Sequence, residues 1–208
     1  MADLEMEVKF FLPDPDATRE ALREAGAVET SARVFEFNLR FDDDRGGLRR
    51  RESLLRLRKD REVRLTYKGD PGAAGAELKH AVKVFRELEV TVSDFDRARA
   101  ILEALGFSPV QIYEKHRETF LLDETECCLD VLPFGHFLEI EGPADRIPSA
   151  SQRLGLPWAK RILANYLAIF DAVRAEHGLG FTDPTFSNFE GLAVDAASAI
   201  RRFEAGAS

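Results

Sequence analysis

Glu5-Met6-Glu7-Val8-Lys9 is the stretch whose reading decides the fold. In a β-strand successive side chains point to opposite faces, so Glu5, Glu7 and Lys9 share one face while Leu4, Met6, Val8 and Phe10 share the other. Two carboxylates about 7 Å apart beside an ammonium cannot be buried dry. That face meets water, a metal or a charged ligand. The strand is expected over residues 3–11.

The same alternation recurs along the chain, with the charges sorted by strand. Residues 33–42 set Val34, Glu36, Asn38 and Arg40 against Phe35, Phe37, Leu39 and Phe41. Two basic rows follow: Arg56 and Arg58 opposed by Leu55 and Leu57, then Arg64, Thr66 and Lys68, with 59–62 as a hairpin turn. The strand at 80–92 returns to acid with Glu87 and Glu89, and Lys115 and Arg117 share a face within 113–121. Asp130 aligns with Cys128 and Glu126, and after the turn at 133–136 the run 137–141 adds Glu139 and Glu141, backed by Leu138 and Ile140.

Helices are expected between these strands. One starts at Pro13-Asp14-Pro15-Asp16 and ends at Gly26, with Ala17, Ala21, Leu22 and Ala25 on one face. Another is capped by Ser93, carries Asp96 as its N3 carboxylate, buries Ala98, Ile101, Leu102 and Leu105, and ends at Gly106. Residues 42–47 and 69–76 read as loops, the latter flexible; 149–154, 159–176 and 189–203 read as helices, with 178–188 as loop. The progression from Glu5-x-Glu7 through a helix to Gly26 is echoed from Glu87-x-Glu89 to Gly106, the pattern of a pseudo-symmetric fold that delivers two carboxylate pairs to one place.

A 45% apolar content over 208 residues supports one domain with a sizeable core. A net charge of −8 argues against a non-specific nucleic-acid binder. Cys127 and Cys128 are adjacent and offer neither disulfide nor metal spacing, and no apolar run reaches the ~18 residues of a membrane span. Asp3, Glu5 and Glu7 stand where a signal peptide would be positive, so a cytoplasmic protein is expected. His80, His116, His136 and His177 read as surface or packing residues, and Trp158 as an anchor for the C-terminal helices.

Charges segregated into acidic and basic rows, with apolar reverse faces and amphipathic helices to cover them, predict a barrel with a charged lumen and a helix-clad exterior. Arg and Lys bind phosphate oxygens, and clustered carboxylates bind Mg²⁺ or Mn²⁺, so the lumen suits a polyphosphate with its metals.

On these residues the chain resembles the CYTH superfamily of triphosphate tunnel metalloenzymes. The resemblance rests on Glu5-x-Glu7-x-Lys9, Leu55-Arg-Leu-Arg58, Leu65-Thr-Tyr-Lys68, Glu87-x-Glu89, Lys115-x-Arg117, Leu129-Asp130, Phe137-Leu-Glu-Ile-Glu141 and Asn165-Tyr166-x-x-Ile169. It implies an α+β fold, an eight-stranded antiparallel β-barrel or triphosphate tunnel clad by α-helices, over residues 1–170. Residues 171–208 would then be a helical extension packing on the same domain. It implies a divalent-metal-dependent triphosphatase acting on inorganic tripolyphosphate or thiamine triphosphate, with a class IV adenylate cyclase as the alternative and a non-catalytic binding module as a third reading.

Carried over, Lys9, Arg56, Arg58, Lys68, Lys115 and Arg117 grip the triphosphate, and Glu5, Glu7, Asp130, Glu139 and Glu141 hold Mg²⁺ or Mn²⁺. Lys9, Glu87 and Glu89 take the catalytic roles, Glu87 and Glu89 by holding a second metal or by positioning the attacking water. The partner is a triphosphate-containing small molecule, with no nucleic acid, no membrane, and a homodimer as the candidate assembly. The pattern departs at Phe85, where relatives often carry a basic residue that Lys83 could replace.

Overall fold

A sheet with one charged and one apolar face can curl the charged face around solvent and bury the other under helices. The computed structural model, which describes residues 4–78 and 81–206, does both. In chain order the elements are β1 (Leu4–Leu12), α1 (Pro15–Glu24), β2 (Val28–Asp43), α2 (Gly47–Arg50), β3 (Leu54–Lys59), β4 (Val63–Gly69), α3 (Ala73–Ala76) and β5 (Lys83–Val92). They continue with α4 (Phe95–Ala104), β6 (Phe107–Leu122), β7 (Thr125–Leu132), β8 (Gly135–Glu141), α5 (Ile147–Arg153), α6 (Tyr166–His177) and α7 (Ala197–Arg201). The strands close antiparallel in the ring β1-β5-β4-β3-β2-β6-β7-β8.

That ring maps onto itself when β1–β4 exchange with β5–β8, so the sequence echo is a real pseudo-two-fold. Each half runs strand, helix, a positive-φ glycine (Gly26 or Gly106) and then a 16-residue strand. The two long strands pair with each other, as do β1 and β5.

The apolar faces form three clusters outside the lumen. Leu22 of α1, Ile147 and Ala150 of α5, and Leu154 at its C-terminal cap pack on Val8, Phe10, Leu129, Leu138 and Ile140. Ile169, Phe170 and Val173 of α6 and Ala199 and Ile200 of α7 pack on Leu132, Phe134 and Phe137. Leu102 of α4 meets Leu39, Phe41 and Leu57. The cladding is incomplete over β5, where Leu88 and Val90 stay 41% and 57% exposed.

Several local expectations are corrected. The α4 cap is Asp94, whose side chain accepts from Arg97 N at 2.9 Å, because Ser93 lies one residue too early; Asp96 becomes the second helical residue. The α4 stripe is Phe95, Ala98 and Leu102, while Ile101 and Leu105 face solvent. In α1 the buried pair is Thr18 and Leu22, with Ala17 exposed. Residues 69–76 include the short helix α3, and 42–47 hold the end of β2 and the start of α2. β6 starts at Phe107, six residues before the expected strand, because a register shift between Arg40 and Phe41 accommodates Pro109.

The expected helix 159–176 begins at Tyr166. β5 pairs with β1 only as far as Glu7, which leaves the next edge of β1 open, and Ile162 fills it: Lys9 N donates to Ile162 O at 3.0 Å and Ile162 N to Lys9 O at 2.7 Å. Asn165 then caps α6 through the amides of Leu167 and Ala168. The expected helix 189–203 shrinks to α7, interrupted by Gly191 at φ 74°. Trp158 packs against the α1/α5 cluster under the Arg161 guanidinium, not against the C-terminal helices. His116 stacks between Phe35 and Phe186, His177 Nε2 lies 3.0 Å from Asp195 O, and His80 lies outside the described residues.

Gly142 ends β8 directly after Glu141, and a Cβ there would stand 2.9 Å from the Glu124 carbonyl oxygen at φ 150°. Gly142→Ala is therefore expected to cost roughly 1–3 kcal/mol, read as a lower denaturation midpoint at unchanged m-value. An unchanged midpoint would contradict this.

Candidate active site

Parity and register bring the charged rows together in a cavity of about 880 Å³ to which all eight strands contribute. Glu7 lies opposite Glu141 and Lys9 opposite Glu139 across β1–β8. Lys68 faces Glu87 and Thr66 faces Glu89 across β4–β5. Arg117 faces Asp130 across β6–β7.

Glu5, Glu7 and Glu141 converge so that one carboxylate oxygen from each lies within 4.8 Å of the others. Three anionic oxygens at that spacing are a hard donor set of the kind Mg²⁺ and Mn²⁺ take. Burial raises the pKa of Glu5 to about 8; Lys68 opposes this, and Glu7, Glu87 and Glu141 add to it. Burial likewise lifts Glu141 to about 7, with Glu139 and Glu7 as the repelling neighbours. Burial alone would raise Glu7 too, but Lys83 and Lys9 outweigh it and hold the group well below the carboxylate range. The fit of a divalent cation is thus both steric and electrostatic: it would relieve a repulsion already present.

Lys9 Nζ sits 2.6 Å from Glu7 and 2.8 Å from Glu139. Burial disfavours the ammonium, yet these two carboxylates raise its pKa above the usual lysine value. Lys68 bonds Glu5 and lies 2.9 Å from Glu87, so the two halves of the pseudo-symmetric fold meet at one ammonium. Lys83 Nζ donates to Glu7 at 2.9 Å and lies over the Phe85 ring, which puts an ammonium on the inner face one pleat from Phe85.

On the facing wall, Asp130 is fully buried and accepts from Lys115 at 2.9 Å, from Arg117 through two nitrogens at 2.7 and 2.6 Å, and from Tyr166 Oη at 2.8 Å. Arg117 also bonds Glu139. Arg56 donates to Tyr113 Oη at 3.1 Å and Thr66 Oγ1 at 3.2 Å, and Thr66 in turn donates to Glu89 at 2.7 Å. Arg58 lies 3.5 Å from Glu89 and 3.6 Å from Glu36. Among the described residues, the buried polar atoms left without a hydrogen bond are Glu36 Oε2, both amide atoms of Asn38, and Nε of Arg56 and of Arg58. All four of these residues lie on the inner faces of β2 and β3, where the arginines still have bonding capacity to offer.

Every expected site residue therefore lies on the inner wall, but the five expected metal ligands divide. Glu5, Glu7 and Glu141 bring carboxylate oxygens together, with Lys68 on Glu5 and Lys9 and Lys83 on Glu7, whereas Asp130 and Glu139 meet Lys115, Arg117 and Lys9 and lie outside that cluster. Sequence reasoning assigned no site role to Glu36 or Tyr113 and offered Lys83 as a replacement at Phe85; strand parity points all three inward. It also passed over Tyr166, whose helical apolar spacing hid a hydroxyl that reaches Asp130.

Residues 3–152 match the CYTH domain family model. The chain belongs to the CYTH domain family. Members of the CYTH family are triphosphatases or adenylate cyclases that act on triphosphate-containing substrates with divalent metals. A protein of Methanocaldococcus jannaschii named as a candidate adenylate cyclase is 29% identical over 140 residues, covering 66% of this chain and 76% of its own. A candidate adenylate cyclase of Vibrio parahaemolyticus superposes with TM-score 0.72 at 22% identity over 83% of this chain and all of its own. A Hippeastrum protein described as having a dominant triphosphatase activity superposes at 0.54, with 19% identity over 80% of this chain and 95% of its own. No helix among the described residues is long and apolar enough to cross a membrane.

Proposed function

We propose that this CYTH protein is a metal-dependent hydrolase that cleaves the terminal phosphate from a triphosphate, inorganic tripolyphosphate or thiamine triphosphate. The observation that carries the reading is the Glu5/Glu7/Glu141 triad opening into the same cavity as Arg56, Arg58, Lys68, Lys115 and Arg117. Glu5, Glu7 and Glu141 would hold Mg²⁺ or Mn²⁺, which supplies neutralising charge at the phosphoryl oxygens.

The chain's own residues do the rest. Arg56 and Arg58, whose Nε groups make no hydrogen bond, take phosphate oxygens in the forked geometry a guanidinium offers. Lys68 exchanges a carboxylate partner for phosphate, and Lys9, Lys115 and Arg117 turn their remaining donors to it. Asp130 and Glu139 hold these cations in place, and Tyr166 fixes Asp130. Glu87 and Glu89 accept hydrogen bonds from the attacking water, whose oxygen forms the new bond to the terminal phosphorus as the bridging P–O bond breaks. Lys9, protonated between two carboxylates, serves as a phosphate contact at the reacting group and not as a base.

Adenylate cyclisation is the second reading, favoured by the names of the Methanocaldococcus and Vibrio relatives. The protein incubated with tripolyphosphate, thiamine triphosphate and ATP, each with Mg²⁺ and with Mn²⁺, separates the two. Orthophosphate from a triphosphate is the expected result. Cyclic AMP with pyrophosphate from ATP, and no orthophosphate from any substrate, would replace it with the cyclase.

A further inference from the structure

The cations of the tunnel fall into two groups. Lys9, Arg56, Arg58, Lys68, Lys115 and Arg117, which carry the phosphate grip, each have a carboxylate within 4 Å. Arg40, Arg49 and Arg51 also line the cavity, and among the described residues none of the three has a carboxylate that close. They stand at the end of the barrel where β2 passes through α2 into β3. Arg40 is the cross-strand neighbour of Arg56, so their Cβ atoms lie about 5 Å apart and the two groups are continuous along one wall. Arg40 is half-buried and hydrogen-bonded to the neutral Gln111 at 3.1 Å; burial lowers its pKa, with Asp42 and Asp171 opposing this from a longer range. Arg49 and Arg51 are exposed.

Two acids share this opening. Asp70 is engaged in an interaction of its own, and Glu52 is exposed on the loop after α2. Asp42 and Asp171 also act on Arg40, and Asp42 on Arg49, but the Asp42 oxygens accept from the amides of Asp43, Leu48 and Arg49 and Asp171 pairs with Arg174, so among the described residues neither closes an ion pair with the three guanidinium groups. The cavity, at about 880 Å³, falls near the top of the ~300–1,000 Å³ range of sites for drug-sized ligands and exceeds what three phosphoryl groups need.

We propose that Arg40, Arg49 and Arg51 form an additional anion subsite that takes the fourth phosphate of a linear polyphosphate whose first three occupy the tunnel. The inference deepens the hydrolase reading and rests on it for the chemistry. Its substrate class is inorganic polyphosphate of four or more phosphates. Each further phosphate adds negative charge where unpaired arginines wait, and charge-assisted hydrogen bonds are the stronger kind. The thiazolium of thiamine triphosphate carries a positive charge and meets like charge at the same mouth, which ranks that substrate below the polyphosphates.

The test measures binding of tripolyphosphate, tetrapolyphosphate and thiamine triphosphate to the full chain by calorimetry in chelator, where turnover does not enter. The wild type is expected to bind tetrapolyphosphate about tenfold more tightly than tripolyphosphate, the scale of one charge-assisted contact. The R49A/R51A double variant, altered at exposed positions, is expected to lose most of that ratio and to gain affinity for thiamine triphosphate relative to tetrapolyphosphate. A ratio near one in the wild type, or a double variant that weakens all three ligands equally, would overturn the subsite. Orthophosphate release from tripolyphosphate, assayed in parallel with metal, reports separately on the hydrolase reading: its absence would overturn that reading while the binding ratio still decides the subsite.

Discussion

Glu141→Gln is expected to raise the stability of the protein while removing its activity. In the tunnel the Glu141 carboxylate is buried beside Glu139 and Glu7, and its pKa rises to about 7. A carboxyl whose folded-state pKa is raised costs nothing in stability at low pH, where it is protonated in both states; its cost grows as pH rises from the ordinary carboxylate value to the folded value and is constant above that. The amide removes that cost. The Tm of the variant should match the wild type below the ordinary carboxylate range and exceed it by a few degrees above pH 7, seen in metal-free thermal scans across pH. Turnover with Mg²⁺ or Mn²⁺ should fall at least about 100-fold, the scale for losing one preorganised charge at a reacting centre. A residue that merely held the barrel together would lose stability and activity in parallel. A Tm below wild type at pH 8, or activity within a few fold, would remove Glu141 from the site.

Asp130→Asn is expected to do the opposite, and its effect on stability should be the largest of any single isosteric change in the tunnel. The carboxylate has no exposed surface and balances Lys115 and Arg117 together. Taking away one partner leaves buried cations uncompensated, which costs about 3–5 kcal/mol. In a chain of this size that lowers Tm by roughly 6–20 °C. The same cations are the proposed phosphate grip, so added tripolyphosphate should rescue the variant and raise its Tm by more than it raises that of the wild type. Equal shifts in both proteins would show that Lys115 and Arg117 do not face the ligand.

Much of this was legible because a strand has a period of two and a barrel preserves it. Once Glu5 and Glu7 pointed inward, parity placed Arg56, Arg58, Lys115, Arg117, Glu139 and Glu141 on the same wall without any knowledge of the ring order. The repeated passage from carboxylate pair to helix to glycine announced the pseudo-two-fold. What stayed hidden was set by partners distant in sequence. Ile162 has helical spacing with Tyr166, but the open edge of β1 claims its backbone, and no local pattern shows that edge. Pro109 concealed half of β6 because a bulge absorbs the missing amide hydrogen bond. The grouping of the carboxylates was equally invisible: Asp130 and Glu139 have the same strand signature as Glu141, and only the cross-strand neighbours decide which acids also meet one another, as Glu7 meets Glu141. The arginines at the mouth escaped because Arg49 and Arg51 belong to a four-residue helix and its end, outside any alternating row.

The central claim is that one tunnel holds a triphosphate with a divalent ion at Glu5, Glu7 and Glu141. Crystals grown with Mn²⁺ and a slowly hydrolysed imido analogue of tripolyphosphate, with diffraction data collected at the manganese edge, test it most directly. The account predicts an anomalous peak bonded to oxygens of all three glutamates, with phosphorus density between that peak and the guanidinium groups of Arg56 and Arg58. A manganese site that excludes this triad, or an analogue bound outside the tunnel, would contradict it.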